Sequence, residues 1–238
     1  MIMTTKIEQA RIVSETEWLE VRKQLLVKEK ELTRLGDQLS AEKRKLPWVK
    51  VEKEYVFAGP QGKETLAELF DARSQLIVYH FMFGPDWEEG CPVCSMAADN
   101  FDANTVHLAQ RDVTLVVVSR AGLSQIEAFK KRLGWKFKWL SSYENDFNHD
   151  YSVSFTGSDV ARGNYYNFGT SGFPREEAAG LSVFYKDESA NIFHTYSCYA
   201  RGGEFLLGPY SYLDLVPKGR DEAGLPFTMA WVRHHDRY

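Results

Sequence analysis

The sequence predicts an α/β protein in which parallel strand–helix units follow a long helical arm. Three observations carry that prediction. Residues 76–83 (LIVYHFMF) and 113–119 (VTLVVVS) are continuous apolar runs, as suits central strands covered on both faces. Each run is followed, after a short connection, by a helical pattern, and strand–helix–strand–helix order gives a parallel unit with right-handed crossovers. Ahead of both lies a charged segment with apolar residues at heptad-like spacing. With 44% apolar and 14% aromatic residues among 238, the chain is globular, not disordered or low-complexity.

The arm comes first. Ser14 with Glu17 three residues later is a helix-start signature. Trp18, Val21, Leu25, Leu32, Leu35, Leu39 and Leu46 then recur at spacings of three, four and seven. Lys28 and Glu42 interrupt this narrow seam, Gly36 marks a weak point or a break into two helices, and Pro47 ends the segment. Two readings stay open: a helix clamped on its own domain, or a helical arm exchanged within a homodimer. The boundaries expected are 1–48 for the arm and 49–238 for the α/β domain, with an insertion near 141–180.

Residues 48–58 (WVKVEKEYVFA) alternate apolar and charged and read as one half-buried strand, followed by a turn at 59–62 and a short helix over 65–70. After the run at 76–83, residues 91–112 read as a single helix of four or five turns. The strand at 113–119 precedes a helix over 124–133 stopped by Gly134. Residues 135–140 (WKFKWL) alternate strictly, as a further strand does. The stretch 141–180, rich in Ser, Asn, Gly and Tyr, is too long to be a plain connection and is read as a lid or partly structured insertion. Around Phe147, Asn148, Tyr165, Tyr166 and Asn167 it either lines a substrate groove or covers a sheet edge. Residues 181–186 and 192–199 form an antiparallel hairpin, and 210–215 a last helix.

Composition excludes several function classes. Twenty-nine basic against 33 acidic residues give a net charge of −4, which argues against a nucleic-acid partner. No run of about 18 apolar residues is present to span a membrane, and the first thirty residues lack the pattern of a secretory signal. Three cysteines, an odd number, argue against a disulfide framework and point to a reducing, cytoplasmic setting.

Two of those cysteines carry the chemistry. Cys91-Pro92-Val93-Cys94 follows a buried strand and opens a helix. Unpaired amide donors and the helix dipole there favour a thiolate on Cys91, the attacking species in disulfide exchange. Pro92 suits the first helical position, and Cys94, one turn on, is placed to close a disulfide with Cys91. Trp87 is expected to pack beside the loop and shield one side of the pair. Asp86, Glu88 and Glu89 oppose this by raising the thiol pKa, so the pair is expected to lean reducing. No second C-x-x-C or H-x-x-x-H completes a zinc site, and neither a metal nor an organic cofactor is required.

Peroxidase chemistry at Cys91 is the main alternative, with Arg120 as the positive helper, although Glu88 stands where a hydroxyl donor is wanted. His80 and His194 are auxiliary candidates as proton acceptors if either approaches Cys91. Cys198 reads as a small core residue. His234, His235 and Asp236 read as a solvated terminus.

The segments LPWVKVEKEYVF, QLIVYHFMFGPDWEEGCPVCS, GWKFKWLSSYENDFNHDYSVSF, FHTYSCYARGGE and LDLVPKGRDE resemble the bacterial thioredoxin-like family catalogued as domain of unknown function 899. The resemblance runs from about Trp18 to Tyr238. It implies a thioredoxin-like fold with an N-terminal helical extension, Cys91 and Cys94 as the redox pair, and a disulfide-containing protein or small thiol as substrate. One departure concerns the approach to the strand at 181–186. Thioredoxins place a cis-proline there, which holds backbone groups open to the substrate. This chain has Ala178-Ala179-Gly180, with Pro174 further upstream, so either Gly180 supplies the backbone geometry or the substrate binds differently. A binding module that has kept the fold and lost the redox role is the third expectation.

Overall fold

Ser14 opens the first element as the sequence predicts, its Oγ accepting a hydrogen bond from the Glu17 N–H at 3.3 Å. In the computed structural model, which describes residues 10–169 and 172–238, helix α1 then runs unbroken over Glu15–Lys43. Gly36 does not divide it. None of its residues is buried: Trp18 is 56%, Leu25 50% and Leu32 70% exposed. The reading of α1 as clamped on its own domain is therefore overturned, because nothing among the described residues covers its apolar seam.

The rest is built on one eight-stranded sheet. Its strands are β1 (Val49–Lys50), β2 (Val56–Gly59), β3 (Gly62–Thr65), β4 (Gln75–His80), β5 (Val113–Ser119), β6 (Trp139–Ser141), β7 (Gly180–Lys186) and β8 (Ile192–Tyr199), in the order β1-β8-β7-β4-β5-β6-β2-β3. β4, β5 and β6 are parallel, and the other pairings are antiparallel. The strand expected over 48–58 is divided between the two sides of the sheet. Val49 and Lys50 pair with β8, while Val56–Gly59 pairs with β3 and β6. The crossing segment is held by Lys53, paired with Asp146 (2.9 Å) and Asp150 (2.6 Å), and by the Tyr55 hydroxyl donating to Asp150 at 2.8 Å.

Strand periodicity sorts the core into two faces. From β4 and the residue after it, Tyr79 and Phe81 join Cys94, Phe101, Phe129 and Trp139 on one face. Leu76 and Val78 join Phe57, Phe70, Val118, Phe147 and Phe184 on the other. The long helix expected from residue 91 is two, α2 (Pro92–Ala98) and α3 (Phe101–Ala109). At the joint, Asp99 accepts from the Trp135 indole at 2.9 Å, while the Asp102 carboxylate accepts the Lys136 and Phe137 amides at 2.8 and 2.6 Å. Those bonds take the 136 and 137 amides away from the ladder, so only Trp139–Ser141 is strand although Trp135, Phe137 and Trp139 are all buried.

Helix α4 (Leu123–Arg132) follows β5, and Gly134 beyond it adopts the left-handed conformation (φ 69°) that glycine tolerates. The 141–180 stretch carries α5 (Phe147–Asp150) and α6 (Gly157–Arg162), and α7 is Gly208–Leu213. Phe147 and Asn148 are buried under the sheet, Asn148 accepting from the Ser142 hydroxyl at 2.9 Å, so neither lines a groove. The order β5-β4-β7-β8, with β4 and β5 parallel and β7 and β8 antiparallel, and the cysteine motif between β4 and α2, make this a thioredoxin-like fold with a helical extension. No helix among the described residues is long and apolar enough to cross a membrane.

Candidate functional site

Cys91 is the residue on which β4 and α2 converge. Its N–H donates to the Met82 carbonyl (3.0 Å), and its own carbonyl accepts from the Ser95 N–H (2.9 Å) and hydroxyl (3.0 Å). It is the N-cap of α2 with Pro92 at the first helical position. Cys91 is half-buried and Cys94 is 2% exposed; both are free thiols. The Cys94 thiol hydrogen-bonds the Cys91 sulfur, and this is the largest influence lowering the Cys91 pKa below its ordinary 9.0. Burial works the other way, while the Cys94 and Val93 amides and the Arg175 guanidinium add to the lowering. Burial and the same pairing push Cys94 well up, and the Tyr79 hydroxyl hydrogen-bonds its sulfur.

The expectation that three acids raise the Cys91 pKa is overturned. Glu89 is neutralised by Arg132 (2.5 Å) and Arg237 (2.7 Å), and Asp86 and Glu88 are exposed to water. The solvated terminus is overturned by the same contacts. His234 is buried, its Nε2–H donating to the Gly90 carbonyl at 2.9 Å and its Nδ1 facing Arg132 at 2.9 Å. His235 reaches Asp99 at 2.6 Å. Further back, one Glu222 carboxylate oxygen accepts from the Tyr210 hydroxyl (2.7 Å), the Met229 N–H (2.9 Å) and the Trp231 indole (2.7 Å).

That docked tail roofs a cavity of about 520 Å³ over the cysteine pair. Phe227, Met229 and Val232 come from the tail, Leu206 and Leu207 from the segment after β8, and Tyr166, Phe173 and Arg175 from the insertion. Gly180 lines it too, and its role is room and not conformational freedom. A Cβ there would lie 2.7 Å from the Tyr199 ring and 2.9 Å from Val153, and its φ is not positive. No described peptide bond is cis, and Pro174 is exposed beside Arg175.

Other sequence candidates fall elsewhere. His80 lies on the opposite face from Cys94, stacked 5.5 Å from Phe147, with burial taking its pKa down to about 3. It bonds Ser182 (2.9 Å), which bonds Ser197 (3.0 Å), which bonds His194 (2.7 Å), so neither histidine approaches Cys91. Strand alternation is the reason: Tyr79 and His80 are neighbours and point to opposite faces. Arg120 hydrogen-bonds His149 and is not the cation at Cys91. Trp87 packs over Gly84 beside the loop and does not line the cavity. Cys198 is buried and borders the cavity. Among the described residues no group of three or more His, Cys, Asp or Glu is arranged to hold a metal. Tyr79, Arg175 and the tail residues 227–233 that line the cavity were not singled out from sequence. Tyr79 was recoverable, sharing strand parity with Phe81, and 227–232 is an apolar run broken only by Thr228; Arg175 sits in irregular chain with no pattern to mark it.

A family model described as "Bacterial protein of unknown function (DUF899)" matches residues 7–238, and the chain belongs to that family. No curated protein sequence matches it. Solved structures similar to it include a peroxidoxin, BcpB, from Mycobacterium tuberculosis (11% identity, 68% of this chain and 94% of that one, TM-score 0.46). A cysteine-to-serine mutant of peroxiredoxin Q from Xanthomonas campestris is 12% identical over 67% and 89% (TM-score 0.46). A protein described as a putative thiol:disulfide interchange protein, DsbE, from Chlorobium tepidum is 11% identical over 65% and 86% (TM-score 0.41).

Proposed function

We propose that this DUF899 chain is a thiol–disulfide oxidoreductase in which Cys91 is the attacking thiolate and Cys94 the resolving thiol. The observation that carries the reading is the asymmetry of the pair: Cys91 is half-buried and borders a cavity with its pKa lowered, while Cys94 is sealed behind it with its pKa raised. Cys91 attacks a substrate disulfide and expels one thiol; Cys94 then attacks the mixed disulfide, expels the second thiol and leaves a Cys91–Cys94 bridge. The exchange itself uses only the two sulfurs. With Glu89 paired away and Arg175 nearby, the thiolate state of the reduced pair is favoured, so the acids give no reason to expect a strongly reducing pair.

Titration of the pair against a dithiothreitol redox buffer tests this. The expected result is one reversible two-electron couple, with Cys91-dependent exchange on hydroxyethyl disulfide that Cys91→Ser abolishes. No reversible couple, or exchange that survives Cys91→Ser, overturns it and leaves the non-enzymatic binding role. Arg175 favours peroxide reduction as the second reading, because it supplies at Cys91 the positive charge that Arg120 does not. Peroxide consumption faster than disulfide exchange and dependent on Cys91 would select it. A cytoplasmic setting suits a dithiol kept reduced. Two copies of the chain pair through α1, whose apolar seam nothing among the described residues of one copy covers.

A further inference from the structure

Resting on the thiol-exchange reading, we propose that the partner of the Cys91–Cys94 pair is a small aliphatic dithiol or its cyclic disulfide ending in a carboxylate, and not a polypeptide. Three independent features lead there. The first is that much of the backbone a peptide substrate would pair with is already engaged. Gly180 is paired on both sides, with His80 of β4 and Tyr199 of β8. Just ahead of it the Ala179 carbonyl accepts from the Tyr166 hydroxyl at 2.7 Å, and the Ala178 N–H donates to Val153 at 2.8 Å. An incoming strand therefore meets the Ala178 N–H, the Ala179 carbonyl and both edges of Gly180 already engaged.

The second feature is the cavity. At about 520 Å³ it falls in the range of small-molecule sites. Its walls are mostly apolar side chains, and its roof is held down by Glu222 and His234. Apolar carbon next to a reacting sulfur is the chemistry such walls select. The third is charge. Among the described residues no Asp or Glu lines the cavity, whereas Arg175 and Arg233 do. Arg175 is exposed and makes no ion pair or hydrogen bond among the described residues, leaving its planar fork open to a carboxylate.

The step balances without a further reactant. One thiolate of the dithiol attacks the Cys91 sulfur of the Cys91–Cys94 disulfide, and Cys94 leaves and takes up a proton. The second thiolate attacks the substrate sulfur of the mixed disulfide, closing the ring and expelling Cys91 as thiolate. The substrate loses two electrons and the protein gains them; the reverse sequence runs through the same intermediate.

The experiment measures reduction of the oxidised protein by dihydrolipoic acid and by dihydrolipoamide, which share one dithiol and differ in the terminal charge. The acid is expected to react about fivefold faster than the amide, a ratio that falls toward one in Arg175→Gln and returns in Arg175→Lys. Octanoate is expected to slow the reaction and acetate at the same concentration is not. Equal rates for acid and amide, no effect of octanoate, or reduction of insulin by the reduced protein as fast as its reaction with lipoic acid overturns the substrate proposal while the exchange reading stands. Failure of the Cys91–Cys94 disulfide to form, or of any dithiol to reduce it, overturns the exchange reading itself.

Discussion

Cys91 and Cys94 are the same residue type one helical turn apart, and their surroundings drive them in opposite directions. Cys91 receives the Cys94 S–H, while Cys94 is buried beneath Tyr79 and faces the charge that Cys91 carries. A thiolate is made at one sulfur because the other keeps its proton. The rate of Cys91 alkylation by iodoacetamide is therefore expected to rise with pH through a midpoint below the ordinary 9.0. Cys94→Ala removes the largest lowering influence and shifts that midpoint upward; an unchanged midpoint would refute the assignment. Glu177 is the second residue with a displaced proton. It is 5% exposed, its carboxylate accepts from Ser154 at 2.6 Å, and burial raises its pKa from 4.5 to about 7 against the pull of Ser154 and Arg120. The folded chain holds that proton more tightly than the unfolded one. The stabilisation is thus complete below 4.5 and disappears as pH rises through about 7. Glu177→Gln keeps the acceptor without the charge, so its stability relative to the parent should improve by about 3 kcal/mol from about pH 4 to about pH 8 in urea unfolding. Of these residues, spacing alone made the cysteines legible. Glu177 and Arg175 were not, because their environment is made by chain far from them in sequence.

Elements were legible where their determinants are local. Ser14 capped α1 where the sequence placed it, and one glycine costing about 1 kcal/mol does not break a 29-residue helix. The β5 boundaries and the β7–β8 hairpin also follow from apolar runs and turn residues. Residues 48–58 and 135–140 were misread because alternation reports a face and not a ladder partner. Lys53 bonding to Asp146 and Asp150, and Asp102 capturing two amides, decided those cases from a distance. For α1 the alternation of charge and apolar residues gave the helix but left its partner open. Its pairing with a second copy has a direct check. Leu25→Glu with Leu32→Glu places charge in the seam at positions 50% and 70% exposed in one copy, so the fold is untouched. Light scattering after size exclusion should give the mass of two chains for the parent and of one for the variant. A parent already at the mass of one chain removes the proposal.

At the scale of the whole molecule, the site is assembled from parts more than a hundred residues apart. The cysteines follow β4, Gly180 starts β7, and the tail that roofs them is the last stretch of the chain. Two anchors hold that tail. One is the group of Glu89, Arg132, His234 and Arg237 beside the cysteine loop, and the other is Glu222, on which three donors converge. Regular secondary structure contributes little to the tail, so its docking rests on these bonds and on the packing of Met229, Ala230 and Val232 into the cavity wall. Tail opening is then a local event that need not involve the sheet. Glu222→Ala leaves three donors without their shared acceptor, a loss of about 2 kcal/mol of docking, which raises the open population about thirtyfold. The expected outcome is faster proteolysis between residues 223 and 233 and faster Cys91 alkylation by a bulky maleimide. The pH midpoint for alkylation stays unchanged, because the groups that set the thiol pKa lie on α2 and at Arg175. Equal alkylation rates in parent and variant would mean that the tail does not govern access. A shifted midpoint would mean that it acts on the thiol and not on the path to it.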